Sequence, residues 1–129
     1  IAREKLTLNK LNFIHRKMII ELTKHNINVL KIYSCNHGWY DECNCRKPKP
    51  GMFFSASKKY KFRLDQVIYI GDDIRDVEAS NNAGCNSILI DHKFVTNDTN
   101  NRIKQNKTFK NMSDAYNYIN KFYTFNDYY

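Results

Sequence analysis

Gln66-Val67-Ile68-Tyr69-Ile70-Gly71-Asp72-Asp73-Ile74-Arg75-Asp76 is the stretch from which the fold can be read. Its first five residues form a short apolar run of the kind that fills a buried parallel strand. Gly71 turns the chain, two carboxylates follow, and a helix over about Arg75 to Ala83 is expected just after them, closing at Gly84. Asn86 to Ile90 is another short strand. Toward the N-terminus, Gly51 opens a helix running from Met52 to about Tyr60, with Met52, Phe53 and Ala56 able to face a core. Val29 to Ser34 reads as a strand. Before it, from Thr7 to Lys24, Leu8, Leu11, Ile14, Met18 and Leu22 mark one side of an amphipathic helix. Strand and helix alternate from Val29 onward, which predicts an α/β fold on a parallel sheet.

Beyond Ile90 the pattern dissolves. Asp91 to Met112 is rich in Asn, Lys and Thr and reads as a polar surface loop with a short strand near Lys107 to Phe109. Ser113 is expected to cap a last helix through about Phe122, with Tyr116 and Ile119 on its inner side. The tail Tyr123 to Tyr129 is aromatic but irregular, a pattern of packing or fraying rather than of a stacking platform. The sequence contains no internal repeat and no interdomain linker, so its 129 residues read as one domain.

The formal net charge is +8 and the isoelectric point near 9.3. These cations are spread along the chain, mostly as lysines on helical surfaces, whereas a nucleic-acid face would cluster them with interleaved aromatics. No nucleic-acid partner is expected. No apolar run approaches the roughly 20 residues a membrane-spanning helix needs, so the protein is expected to be soluble and cytoplasmic.

The chemistry concentrates in two places. From Cys35 to Met52 the chain places Cys35, His37, Cys43 and Cys45 close together as Cys-x-His, five residues, Cys-x-Cys, and then adds Arg46, Lys47 and Lys49 around Pro48 and Pro50. Three thiolates and an imidazole close a tetrahedral zinc site with no open position, the pattern of a structural metal. Ordinary thiols or a disulfide are the competing readings, but the chain shows no secretory signal and a disulfide has no use for His37. The three cations, held between prolines of fixed φ, form an anion receptor whose expected partner is a phosphate. Cys85 reads as a small buried residue. The second place is Asp72 and Asp73, carboxylates at the end of a parallel strand, where ligand crevices form and where hard oxygens suit Mg²⁺. A solvated helix cap without metal is the alternative.

Cys-x-His, Cys-x-Cys-Arg-Lys-Pro-Lys-Pro-Gly-Met and, further on, Ile-Gly-Asp-Asp-x-x-Asp together resemble the haloacid dehalogenase superfamily of phosphatases. The likeness is to its zinc-containing branch, which acts on heptose 1,7-bisphosphate and on histidinol phosphate, and it spans nearly all of Ile1 to Ile90. It implies a three-layer Rossmann-like parallel sheet with a zinc-binding loop, and transfer of a phosphoryl group to an aspartate with Mg²⁺ assistance, followed by hydrolysis. By the resemblance Lys47 stabilises the phosphoryl group and the nucleophilic carboxylate, Arg46 recognises substrate, and Asp72 binds Mg²⁺ with support from Asp73 and Asp76. Cys35, His37, Cys43 and Cys45 match the zinc ligands. Asp73 stands where this branch often has a substrate-touching Lys or Arg, so it is also a candidate substrate contact.

The superfamily's nucleophile lies in an Asp-x-Asp motif at the end of the first strand, and this sequence has none. The opening Ile-Ala-Arg matches residues that in the family directly follow the second phosphate-binding motif. The expectation is therefore the C-terminal portion of a longer phosphatase, lacking roughly the first two strands, poorly stable and inactive alone, and monomeric when complete. The expected substrate is a sugar bisphosphate, heptose 1,7-bisphosphate being favoured by the Lys-Pro-Gly-Met run. The short His37 to Cys43 loop is like that of the histidinol-phosphate relatives, which are the alternative. A zinc-stapled module that binds phosphate without catalysis is a further reading, and a small basic zinc module for nucleic acid a weaker one.

Overall fold

The computed structural model describes residues 6–38, 40–93 and 107–123. The chain divides into two compact units, Ile1–Arg46 and Lys47–Tyr129. In the first, helix α1 spans Leu8–Lys24. Thr7 caps it, its hydroxyl accepting from the Lys10 N–H at 3.2 Å and so satisfying one of the donors a helix start leaves over. Leu11, His15 and Leu22 are its half-buried positions; Leu8, Ile14 and Met18 of the expected stripe are exposed.

Val29 to Ser34 is not a strand. Its β-branched and apolar residues suit one, but a ladder needs a neighbouring backbone to pair with, and the sheet among the described residues consists of three other segments. The sequence pattern identified a candidate strand; it could not supply the partner.

The second unit carries the parallel sheet. Helix α2 covers Gly51–Tyr60, strand β1 Ile68–Gly71, helix α3 Ile74–Ala83, β2 Asn86–Ile90, β3 Lys107–Phe109 and helix α4 Met112–Phe122. The strand order is β1-β2-β3, both pairs parallel, with Ile70 opposite Ile88 and Ile90 opposite Phe109. Alternation along each strand sorts side chains between two faces. Ile68, Ile70, Ile88, Ile90 and Phe109 meet Ala115, Tyr118 and Ile119 of α4 on one side. On the other, Ser87 reaches Asn81 of α3 at 3.4 Å, and Tyr69 packs edge-on against Phe53 of α2 with ring centroids 4.8 Å apart. Helix, sheet and helix make three layers, as the resemblance implied.

Two details of α4 differ from expectation. Asn111, not Ser113, caps it, accepting from the Asp114 N–H at 2.9 Å. Tyr116 is exposed, while Tyr118 faces the core beside Ile119. The helix thus starts two residues earlier than Ser113 capping would allow, and the stripe it turns to the sheet is Ala115, Tyr118 and Ile119. The tail beyond Tyr123 and the loop from residue 94 to 106 lie outside the described residues.

Gly71 ends β1 because nothing larger fits. A Cβ there would lie 2.4 Å from Asp76 Cβ and 2.7 Å from its Cγ. Gly71→Ala is therefore expected to force strand and helix apart and cost about 1–3 kcal/mol, read as a lowered thermal midpoint; an unchanged midpoint would contradict the close approach. Gly84 closes α3 in the left-handed region, φ 82°.

Candidate active site and metal centre

Cys35, His37, Cys43 and Cys45 converge in the first unit, their ligand atoms all within 4.8 Å of one another. Cys35 Sγ is 3.7 Å from Cys43 Sγ and 3.6 Å from His37 Nδ1, and His37 Nδ1 is 3.1 Å from Cys45 Sγ. A tetrahedron with Zn–S of about 2.3 Å and Zn–N of about 2.0–2.1 Å has edges of about 3.8 Å between sulfurs and about 3.6 Å between sulfur and nitrogen. The donor set fits zinc. It does not fit a disulfide, whose sulfurs stand about 2.05 Å apart, and all four cysteines of the chain are free thiols. Asp41 shapes the loop by accepting from the Gly38 N–H at 2.6 Å.

The thiols do not share charge evenly. Burial pushes the Cys43 thiol up, but hydrogen bonds from the Arg46 and Cys45 backbone and from its sulfur neighbours outweigh it and bring it to about 7. Cys45 is pushed up to about 12 by burial and by Cys35 and Cys43 beside it. Without a cation the cluster accommodates one thiolate and resists the next, which a bound dication reverses. Zinc is therefore expected to protect Cys43 and Cys45 from iodoacetamide and chelation to expose both; equal reactivity with and without zinc, read by peptide mass mapping, would contradict this.

In the second unit, Lys47 and Asp76 form the site's central pair. The Lys47 ammonium donates to Asp76 Oδ1. Their side chains are 40% and 3% exposed, so the carboxylate is dry while the ammonium keeps an open side on which a ligand can be met. Tyr69 OH donates to the same Oδ1 at 3.0 Å, and the Asp73 N–H to Oδ2 at 3.3 Å. Burial, then the charges of Asp76 and Asp72, hold the Tyr69 phenol up at about 12, so it stays a donor at neutral pH. Asn82 of α3 donates to the Pro48 carbonyl at 3.1 Å and fixes the loop that carries Lys47.

Asp73 caps α3. Its carboxylate accepts from the Arg75 N–H at 2.9 Å and is gripped by the Arg75 side chain, Nε to Oδ1 at 2.8 Å and Nη2 to Oδ2 at 2.7 Å. With Asp76 reaching back to the Asp73 N–H this is a capping box. The Arg75 contacts hold the Asp73 carboxyl well below the usual carboxylate range, with Lys47 adding to the effect. Thus Asp73 and Asp76, expected to support a metal, have their carboxylates turned to Arg75 and to Lys47 with Tyr69. Asp72 is different. It is exposed at the end of β1, and among the described residues no side chain pairs with it. Arg46, in the first unit, donates through Nη2 to the His37 carbonyl. Among the described residues the thiol–imidazole cluster is the one group of three or more donors gathered for an ion.

Tyr69, Arg75 and Asn82 escaped the sequence reading. For Tyr69 a signal existed: it alternates with Ile68 and Ile70, so it faces the opposite side of the sheet from them.

The family model for HAD-hydrolase-like proteins matches residues 44–115. The D-glycero-β-D-manno-heptose-1,7-bisphosphate 7-phosphatase of Bordetella bronchiseptica is 39% identical over 90 residues, covering 70% of this chain and 50% of that protein. The corresponding α-anomer enzyme of Campylobacter jejuni is 30% identical over 102 residues, 79% of this chain and 55% of that protein. The crystal structure of the B. bronchiseptica D,D-heptose 1,7-bisphosphate phosphatase, complexed with magnesium and phosphate, superposes with a TM-score of 0.81 at 29% identity, covering 93% of this chain and 68% of that one. The chain spans about half the length of the curated relatives it matches.

Proposed function

The chain belongs to the HAD-hydrolase-like family, and from that premise we propose that it is the C-terminal portion of a magnesium-dependent phosphatase of a sugar bisphosphate, hydrolysing the C7 phosphate of D-glycero-D-manno-heptose 1,7-bisphosphate. The observation that carries the proposal is the Lys47 ammonium, fixed on a dry carboxylate yet open on one side, close enough to Asp73 for its charge to be felt there. A group that passes through a phosphoryl transition state spreads negative charge over its oxygens, and a cation fixed beforehand stabilises that charge without reorganising. The likeness to heptose bisphosphate phosphatases supports the substrate.

Asp72 is the residue we assign to Mg²⁺, since its carboxylate is the free hard donor at the strand end. The metal, when bound, supplies Lewis-acid stabilisation of phosphoryl oxygens. Asp73 and Asp76 serve by position: Asp73 starts the helix, and Asp76 holds Lys47. Arg46, adjacent in sequence to Lys47, is the candidate for recognising the remainder of the substrate. Zinc on Cys35, His37, Cys43 and Cys45 is structural, its four positions filled by protein. The nucleophilic aspartate belongs to an Asp-x-Asp segment upstream of Ile1, whose strand would pair with β1 on the side that no strand among the described residues occupies. The reading takes the complete protein as a cytoplasmic monomer; no helix among the described residues is long and apolar enough to cross a membrane.

The test joins this chain to an upstream segment bearing Asp-x-Asp and follows phosphate release from heptose 1,7-bisphosphate with Mg²⁺. Release from C7 is expected, with histidinol phosphate a poor substrate. Faster turnover of histidinol phosphate would move the assignment to that relative. A folded protein that binds phosphate but releases none would make it a binding module. Activity in the present chain alone would overturn the upstream nucleophile.

A further inference from the structure

We infer that Tyr69 is a positioning residue for the Lys47 ammonium, acting through the Asp76 carboxylate; the inference rests on the phosphoryl-binding role proposed for Lys47. An aspartate that anchors a mobile lysine is useful only if it is itself fixed. Asp76 is held at both oxygens by groups other than Lys47: Tyr69 OH at 3.0 Å on Oδ1 and the Asp73 N–H at 3.3 Å on Oδ2. With one donor on each oxygen, rotation of the carboxylate about its Cβ–Cγ bond breaks a contact, and Oδ1 keeps one direction toward the lysine.

The hydroxyl is placed by the sheet. The pleat sends Ile68 and Ile70 to the α4 side and Tyr69 to the side of α2 and α3. There the Phe53 ring meets it edge-on, at an interplanar angle of 68°, and limits its swing. A phenylalanine would pack on Phe53 equally well, so packing alone does not call for the oxygen. At 2% exposure, Asp76 would be left with Lys47 as the one donor to Oδ1 if that oxygen were missing. Asn82 fixes the base of the lysine loop through Pro48, while the far end of the side chain takes its direction from Asp76 and so from Tyr69.

The test is Tyr69→Phe in the protein completed by its upstream segment, with two readouts. The first is the Lys47 ammonium itself, observed by ¹⁵N NMR: its protons are expected to exchange with water about tenfold faster in the variant, with the thermal midpoint and backbone exchange unchanged. The second is kinetic: kcat is expected to fall about tenfold with KM nearly constant, as when a stabilising charge is misdirected rather than lost. Unchanged Lys47 exchange would overturn the inference. So would a variant that loses its fold, or one in which Lys47 and backbone exchange rise together, because the hydroxyl would then be holding the structure and not the lysine. If the unaltered protein hydrolyses no sugar phosphate, the proposed function fails, and the Lys47 exchange readout still decides the role of Tyr69.

Discussion

Stripping the metal with a chelator is expected to release about one zinc per chain and to unfold the loop that carries Cys35 to Cys45, and Cys43→Ala is expected to do the same without a chelator. The reason is what else holds that loop. No described residue of the first unit is buried, so no apolar core fixes it, and Val29 to Ser34 contributes no ladder. Hydrogen bonds such as those from Gly38 to Asp41 and from Arg46 to the His37 carbonyl are each worth about 1 kcal/mol net. Structural zinc binds with about 10–16 kcal/mol in small folded modules. The metal term exceeds any one such bond severalfold, so the loop is expected to follow the metal. Acid acts in the same direction: ligands must be deprotonated to bind, and as pH falls below the ordinary thiol range protons compete for the sulfurs, so zinc affinity drops with pH. Zinc content by elemental analysis and amide exchange over residues 35–46 give the measurement. A zinc-free chain with unchanged amide protection would count against the structural role.

The strands and helices of the second unit were legible because each is signalled locally. Val67 to Ile70 and Asn86 to Ile90 are apolar runs, Gly71 and Gly84 punctuate them, and helix periodicity lies between. Val29 to Ser34 carried the same signal and still made no strand, because pairing depends on residues distant in sequence. The zinc cluster was legible for the opposite reason: four soft ligands at close spacing have few other uses. The acidic site was legible as a place but not as a set of roles. Asp72, Asp73 and Asp76 look alike in sequence, yet the helix start turns Asp73 onto Arg75, buries Asp76 against Lys47 and Tyr69, and leaves Asp72 exposed. The spacing Asp73-x-x-Asp76 is that of a capping box, and reading it so would have separated these two from Asp72.

Lys47→Ala, made in the protein completed by its upstream segment, is expected to lower turnover on the order of a hundredfold or more, the usual cost of deleting one preorganised stabiliser of transition-state charge. Stability must be kept apart from this. Removing the ammonium leaves Asp76 Oδ1 with Tyr69 alone and keeps a buried negative charge. Breaking a buried pair on one side costs about 3–5 kcal/mol, but the lysine side chain is 40% exposed and solvent screens the pair, and two hydrogen bonds to Asp76 remain. A loss nearer about 1–2 kcal/mol follows. The double variant Lys47→Ala with Asp76→Asn removes the stranded charge as well, so it is expected to recover most of the thermal midpoint and none of the turnover. Recovery of both would mean that Lys47 acted through folding. Full turnover in the single variant would take Lys47 out of the chemistry and leave the site without the cation on which phosphoryl transfer depends.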